Sequence, residues 1–368
     1  MRTYKNLYKR LLSKETRSPA VHEVWNKRKK DRYILNNNYT ETDLYNLSYD
    51  WLINFKNDEH TIKIVKEGPS KKEREIIRPT VKELVVQHCL MNILKPIIIK
   101  GMYEHSYASI PDRGIHKGKS VIEKWIKRTN VSTNNSRRDM KYVLKMDIKK
   151  YFNTIRHDIL MEKFRKYIKD EQILSIIQEI INVQPNGIPL GFYTSQWFAN
   201  WYLQDLDHYI KEELCVKYYI RYMDDMVCFG SNKTKLHKVR KKIQDYLSDN
   251  LGLEMKDNWQ LYLFDYVDKN GFHHGRDLDF MGFRFFRDRT IIRKSILFRI
   301  RQKAIKISKK DKPSIYDCKQ MLSYYGWLKH SDSYMYYLKY IQPIINFDEL
   351  KRRVSEYDRC KAKEESLC

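Results

Sequence analysis

Three aspartates stand where carboxylates could do chemistry together. Tyr222-Met223-Asp224-Asp225 lies between Tyr218, Tyr219 and Ile220 on one side and Met226, Val227, Cys228 and Phe229 on the other, which puts two adjacent acids at the tip of an apolar hairpin. An ordinary hairpin turn favours Asn-Gly or Asp-Gly, and burying unpaired charge is costly unless a cation balances it. Asp147 closes the short, apolar, β-prone run Tyr142 to Ile148, so it reads as an acid at the mouth of a sheet. Set beside the hairpin, Asp147 and Asp224 suit two Mg²⁺ ions roughly 3.5–4 Å apart, one activating a 3′-hydroxyl and one steadying a leaving pyrophosphate. Asp225 then fits a secondary or outer-sphere role. The alternatives are a plain turn at 224–225, and an N-cap or salt-bridge partner at Asp147.

The elements that must position these acids follow from periodicity. Val81 to Leu94 has apolar residues at helical spacing and is expected to stop near Pro96. Beyond the first acid, helices are predicted over His157 to Tyr167 and Glu171 to Ile181, and Pro185, Gly187 and Pro189 force a turn. Thr194 to Glu213 reads as one long helix, and Lys217 to Phe229 as two strands about a tight turn. A helix over Lys235 to Leu251 precedes a third β region around Leu278 to Phe286. From Ser295 the chain reads as helical and basic, with one apolar stripe and one cationic face in FRIRQKAIKISKK; that face is either solvated or laid against a phosphate backbone. Arg128 to Arg138, rich in Asn, Ser and Thr, reads as a surface insertion.

Composition narrows the partner. Of 368 residues, 71 are Lys or Arg and 46 are Asp or Glu, a formal net charge of +25 that points to a polyanion. No run of eighteen apolar residues and no apolar stretch with a cleavage site at the start is present, so no membrane partner is expected and the location is expected to be cytoplasmic. The six cysteines, Cys89, Cys215, Cys228, Cys318, Cys360 and Cys368, lack zinc spacing and read as reduced thiols.

Taken in order, KMDIKKYF, GIPLGFYTSQWFANWYL, RYMDDMVCFG and DFMGFRF resemble the palm motifs of reverse transcriptases. The upstream IIRPTVKELVVQHCLMNIL and HSYASIPDRGIHKG resemble the finger motifs of bacterial ones. The resemblance runs from about Arg74 to about Leu338 and implies an α+β, right-hand polymerase with fingers, a palm built on an antiparallel sheet, and a helical thumb. The implied layout is an N-terminal helical extension over 1–70, fingers over 71–140, and palm over 141–288 with finger helices at about 157–190 interleaved. A thumb over 289–345 and a basic tail over 346–368 complete it. The implied activity is RNA-directed DNA synthesis with two Mg²⁺ ions, Mn²⁺ substituting, from deoxynucleoside triphosphates on a noncoding RNA template with a DNA or RNA primer. Catalytic acids would be Asp147, Asp224 and Asp225, with Ile148 joining them as a metal ligand. Nucleotide-binding residues would be Arg74, Arg78, Phe152, Leu190, Gly191 and Gln196, and the primer grip would be Phe280, Met281 and Gly282, with Trp327 packing in the thumb.

Within the family, Gly191-Phe192-Tyr193-Thr194-Ser195-Gln196 resembles the GxxxSQ pattern of diversity-generating retroelement enzymes, and Leu190 replaces a usual glutamine. That replacement implies error-prone copying, because an aliphatic side chain loses a polar hold on the nucleotide; the alternative is that Leu190 fills the core. A small basic accessory protein oligomer goes with that resemblance. An antiphage defence enzyme and a catalytically idle RNA-binding scaffold are the competing readings. Departures are also visible. The position of the family's usual proton-donating lysine holds Asn258 or Trp259, so either Lys256 nearby substitutes or the role is vacant. The insertion Phe264 to Asp277 carries His273 and His274, read as a polar loop rather than a metal site.

Overall fold

The computed structural model describes residues 3–67, 72–131, 139–268 and 270–366. Helix outweighs strand, and the chain divides into two compact units, one of residues 1–114 and 144–261, the other of 115–143 and 262–368. Most of the segment read as a surface insertion lies outside the described residues; its start, Arg128, belongs to the helix Ile115–Val131.

In the first unit, the helices Lys14–Arg28 and Glu41–Ile53 pack on the helix Val81–Lys100. That helix starts at a capping box, in which Thr80 Oγ1 accepts from the Glu83 N–H at 3.3 Å and the Glu83 carboxylate accepts from the Thr80 N–H at 2.9 Å. It does not stop near Pro96 but runs to Lys100. An interior proline costs a helix about 3 kcal/mol. Here Ile97 and Ile98, both buried, continue the apolar face beyond it and offset that cost. The strands β1 (Thr61–Glu67) and β2 (Lys72–Arg78) form an antiparallel ribbon.

The central sheet has the order β4-β5-β3-β6, from β3 (Tyr142–Asp147), β4 (Tyr218–Tyr222), β5 (Asp225–Gly230) and β6 (Gln260–Leu263). β4 and β5 are antiparallel with Tyr222 opposite Asp225, so only Met223 and Asp224 connect them. The helices His157–Tyr167 and Glu171–Ile181 form as their patterns predict, and bury Phe164 and Ile177 among others.

The single helix expected over Thr194 to Glu213 is instead three pieces: Tyr193–Tyr202, Gln204–His208 and a wider turn over Tyr209–Glu213. Competition for carbonyls explains the break. The Ala199 carbonyl accepts from the Tyr151 hydroxyl at 2.5 Å, that of Asn200 from the Arg221 guanidinium at 3.4 Å, and that of Trp201 from Lys163 Nζ at 2.6 Å. Three successive acceptors of the helical ladder are thus engaged by side chains, and the regular pattern ends at Leu203.

In the second unit, β7 (Tyr266–Val267) pairs with β8 (His273–His274), and a separate sheet has the order β11-β10-β9. β9 spans Leu278–Phe280, β10 Phe283–Phe285 and β11 Thr290–Ile292. Arg287 ties this region to the other segment of its unit by donating to the Met140 carbonyl at 2.6 Å and Thr129 Oγ1 at 3.2 Å. The helix Lys294–Ser308 buries Leu297, Ile300, Ala304 and Ile307 and leaves Arg299, Arg301 and Lys306 exposed, the two faces expected of it. The helices Ile315–Lys329 and Phe347–Ser366 pack on each other.

Candidate active site

Sheet order brings the acids together. β5 lies beside β3, so Asp225 at the start of one inner strand and Asp147 at the end of the other stand at one end of the sheet with the turn residue Asp224. The Asp147 carboxylate is close enough to Asp224 to oppose its ionisation. Met223, φ +56°, takes the left-handed conformation that a non-glycine residue rarely adopts, and it is buried. Ile148 is fully buried and bridges to Met255, so only its main chain can serve a ligand.

The electrostatics of this cluster call for a cation. Burial, then the Asp147 carboxylate, pushes the Asp224 carboxyl up to about 6; burial, against the opposing pull of Lys145, pushes Asp225 up to about 6 as well. Asp147 Oδ1 and Asp225 Oδ1 are buried and have no hydrogen-bond partner among the described residues. Lys145 Nζ stands 3.7 Å from Asp225, and Lys256 Nζ forms an ion pair with Asp147 Oδ2. Orphaned carboxylate oxygens beside acids that resist ionisation are a donor set suited to a hard divalent cation.

Lys256 is placed by main-chain contacts. Its N–H donates to the Asp147 carbonyl at 2.8 Å, and the Lys149 N–H donates to the Glu254 carbonyl at 2.8 Å. Trp259 instead packs under the Arg240 guanidinium, 4.6 Å from its ring centre, with His237 at its edge.

The expected nucleotide-binding residues fall into two groups. Phe152, Leu190, Gly191 and Gln196 line one cavity of about 620 Å³, together with Lys27, Arg28 and Lys95. The 187–191 loop fixes that wall. Gly187, φ +74°, lets it pack on the main chain of Phe152 and Asn153, and the Ile188 N–H donates to the Phe152 carbonyl at 2.8 Å. Gly191, φ +109°, admits the ribbon, because a Cβ there would stand 2.3 Å from the Ile77 carbonyl oxygen, and the Ile77 N–H donates to the Leu190 carbonyl at 2.8 Å. Leu190 is part-exposed in the cavity wall and is not a core residue. Arg74 and Arg78 sit on β2, both exposed and outside the cavity lining; Arg78 pairs with Asp31 at 3.0 Å.

Phe280, Met281 and Gly282 form the hairpin between β9 and β10. Met281 and Gly282 both have positive φ, +50° and +85°, the two-residue turn that suits strand twist. The space beside Gly282 is filled from within its own unit: a Cβ there would meet the Trp327 ring at 2.7 Å, and Trp327 stacks on Phe283 with ring centres 4.9 Å apart.

His273 does more than sit in a polar loop. It bonds to Asp265 at 2.7 Å, and the ligating atoms of Asp265, His273 and Asp288 lie within 4.8 Å of one another. The buried Asp265 also accepts from the Arg287 N–H at 2.8 Å, so the cluster ties β8 to the turn after β10. Five cysteines, Cys89, Cys215, Cys228, Cys318 and Cys360, are free thiols, and no helix among the described residues is long and apolar enough to cross a membrane.

The sequence reading missed a buried network around the acids. Arg221, inside the apolar strand β4, is fully buried and forks onto the equally buried Asp207, its Nε and Nη2 donating at 2.8 and 2.6 Å. A charged residue in the middle of an apolar strand, and an acid at helical spacing from Leu203 and Ile210, were its visible signals.

A model of the reverse transcriptase (RNA-dependent DNA polymerase) family matches residues 64–284, which hold all three acids and the hairpin at Gly282. The chain belongs to the reverse transcriptase family. With the family comes the right-hand polymerase class expected from the motifs. Protein YkfC of Escherichia coli (strain K12) is 23% identical over 144 residues, 36% of either chain. Among solved structures, telomerase from Candida albicans, in complex with a fragment of telomeric RNA, is 12% identical with a TM-score of 0.48, covering 83% of this chain and 60% of that one. Apo telomerase from Candida tropicalis is 14% identical with a TM-score of 0.46, covering 78% and 58%. The chain thus spans about a third of YkfC and about three-fifths of these telomerase chains.

Proposed function

We propose that this reverse transcriptase is an active RNA-directed DNA polymerase that extends a primer on a structured noncoding RNA. The observation that carries the reading is the pair of buried, unpartnered carboxylate oxygens on Asp147 and Asp225 beside Asp224. Asp147, Asp224 and Asp225, with the main chain of Ile148, would hold divalent metal, Mg²⁺ or Mn²⁺, which when bound lowers the cost of forming the attacking alkoxide and of releasing pyrophosphate. The protein's part is to hold three carboxylates at one end of the sheet before substrate arrives, so that little reorganisation remains. Lys145 and Lys256 keep the cluster from carrying its full negative charge.

In this reading the palm spans 141–288, and the cavity holding Phe152, Leu190, Gly191 and Gln196 receives the deoxynucleoside triphosphate. Phe152 there excludes a ribose 2′-hydroxyl. Arg74 and Arg78 approach the triphosphate from β2, Arg78 exchanging Asp31 for phosphate oxygens. The hairpin Phe280-Met281-Gly282 grips the primer. Leu190 in the cavity wall supports error-prone copying of the diversity-generating kind, since it offers no hydrogen bond to the base. A small basic accessory protein oligomer is the expected partner.

The test is to purify the full chain with the RNA it carries, add Mg²⁺ and deoxynucleotides, and sequence the products. Products copied from one RNA segment, with errors gathered at template adenines, support diversification. Faithful, repetitive or untemplated products refute it and favour a defence role. Asp224→Asn with Asp225→Asn is expected to abolish incorporation while RNA binding persists; unchanged incorporation removes the metal assignment.

A further inference from the structure

Arg221 is fully buried and bonds to the turn that carries the acids. We infer that it is a positioning residue: its guanidinium holds the left-handed turn at Met223 and so sets where Asp224 and Asp225 stand. The inference rests on the reading that these acids hold divalent metal.

Each donor of the guanidinium is engaged. Nε and Nη2 take both oxygens of Asp207, while Nη1 donates to the Met223 carbonyl at 3.0 Å and to Asn200 Oδ1 at 3.2 Å. The Met223 carbonyl belongs to the residue at φ +56° that connects β4 to the acids. Left-handed geometry costs a non-glycine residue of order 1 kcal/mol, so it persists only where the surroundings impose it. Arg221 imposes it from below, and is itself fixed on every side. The Tyr219 hydroxyl donates to Asp207 at 2.7 Å, and Asn200 Nδ2 donates to the Ala108 carbonyl at 2.7 Å. On the main chain, the Arg221 N–H donates to the His105 carbonyl and its carbonyl accepts from the Tyr107 N–H, both at 3.0 Å. Only a planar fork reaches a carboxylate and a turn carbonyl at once; a lysine ammonium is a single point and must give up one of them.

The experiment compares full-length wild type, Arg221→Lys, Met223→Gly and the double variant. Three quantities are read: Mn²⁺ affinity by calorimetry, amide exchange of the peptide covering 222–226, and Mg²⁺-dependent incorporation; thermal melts check folding. Loss of a group that orients ligands typically lowers metal affinity or activity about 10–100-fold, and that loss is expected for Arg221→Lys, with faster exchange at the turn. Glycine takes the left-handed conformation freely, so in the Met223→Gly background the same Arg221→Lys change is expected to cost less, a coupling that a role in general packing would not produce. Mn²⁺ affinity within twofold of wild type in Arg221→Lys, or equal losses in both backgrounds, overturns the inference. Should Arg221→Lys not fold, Arg221→Gln with Asp207→Asn, which leaves no buried charge, is read by the same criteria. A wild type that binds no Mn²⁺ and incorporates no nucleotide refutes the polymerase reading itself, a result distinct from either of these.

Discussion

Replacing Asp225 by asparagine should make the metal-free protein more stable at pH 8 while weakening its metal binding. The carboxyl rises from its ordinary 3.8 to about 6, mainly through burial. A rise of that size corresponds to about 3 kcal/mol in favour of the protonated form. The side chain is 33% exposed, so solvent screening reduces the cost of ionisation to about 1.5 kcal/mol. The sign follows from proton binding. The folded protein holds this proton more tightly than the unfolded chain, so stability is full below about pH 4, falls as pH rises through 6, and stays low above it. The side-chain amide of the Asp225→Asn variant never ionises and escapes that loss. At about 2–4 °C per kcal/mol for a unit of 150–250 residues, Asp225→Asn should melt about 3–6 °C higher than wild type at pH 8 without metal. The gain should shrink towards zero as pH falls to 4. With Mg²⁺ added, wild type should recover, since ligand at a hundredfold excess over Kd contributes about 2.7 kcal/mol, and the variant should respond less. Thermal melts at several pH values, with EDTA or Mg²⁺, measure all of this. A variant no more stable than wild type at pH 8, or equally stabilised at pH 4, refutes the claim that the Asp225 carboxylate is held at a net cost that Lys145 only partly offsets.

Further outcomes are expected elsewhere. Phe152→Ala should raise ribonucleotide incorporation relative to deoxynucleotide by about tenfold or more, read by single-nucleotide extension, because the cavity wall then admits a 2′-hydroxyl. Gly282→Ala should destabilise the protein by about 1–3 kcal/mol through overpacking against Trp327, with the strain of positive φ in addition, and so lower the melting temperature; an unchanged melt would show that the hairpin is loosely held. Lys303 and Lys310 at 2.8 and 2.6 Å hold the Asp317 carboxyl well below the usual carboxylate range. Its contribution to stability is therefore present above about pH 4 and lost as pH falls. Asp317→Asn should lower the melting temperature at pH 7 and converge with wild type in acid.

Much of the site was legible in the chain itself. Apolar strands ending in acids, and helices of period 3.6 between them, are local patterns, so Asp147, Asp224, Asp225 and the helices His157–Tyr167 and Glu171–Ile181 stand where the sequence puts them. Local pattern failed where distant groups compete for the main chain. The Thr194–Glu213 stretch has an unbroken helical pattern, yet side chains from Tyr151, Lys163 and Arg221 engage three of its carbonyls and break it. Pro96 failed in the opposite sense, because burial of its neighbours outweighs a lost hydrogen bond. The residue types, their order and the basic charge are fixed by sequence alone. Whether Lys256 or Trp259 reaches the acids, that Asp225 keeps an unpartnered oxygen, and that Arg221 grips the turn at Met223 are decided by tertiary structure. Those facts depend on hydrogen bonds and burial between residues far apart in the chain, and no periodicity encodes them.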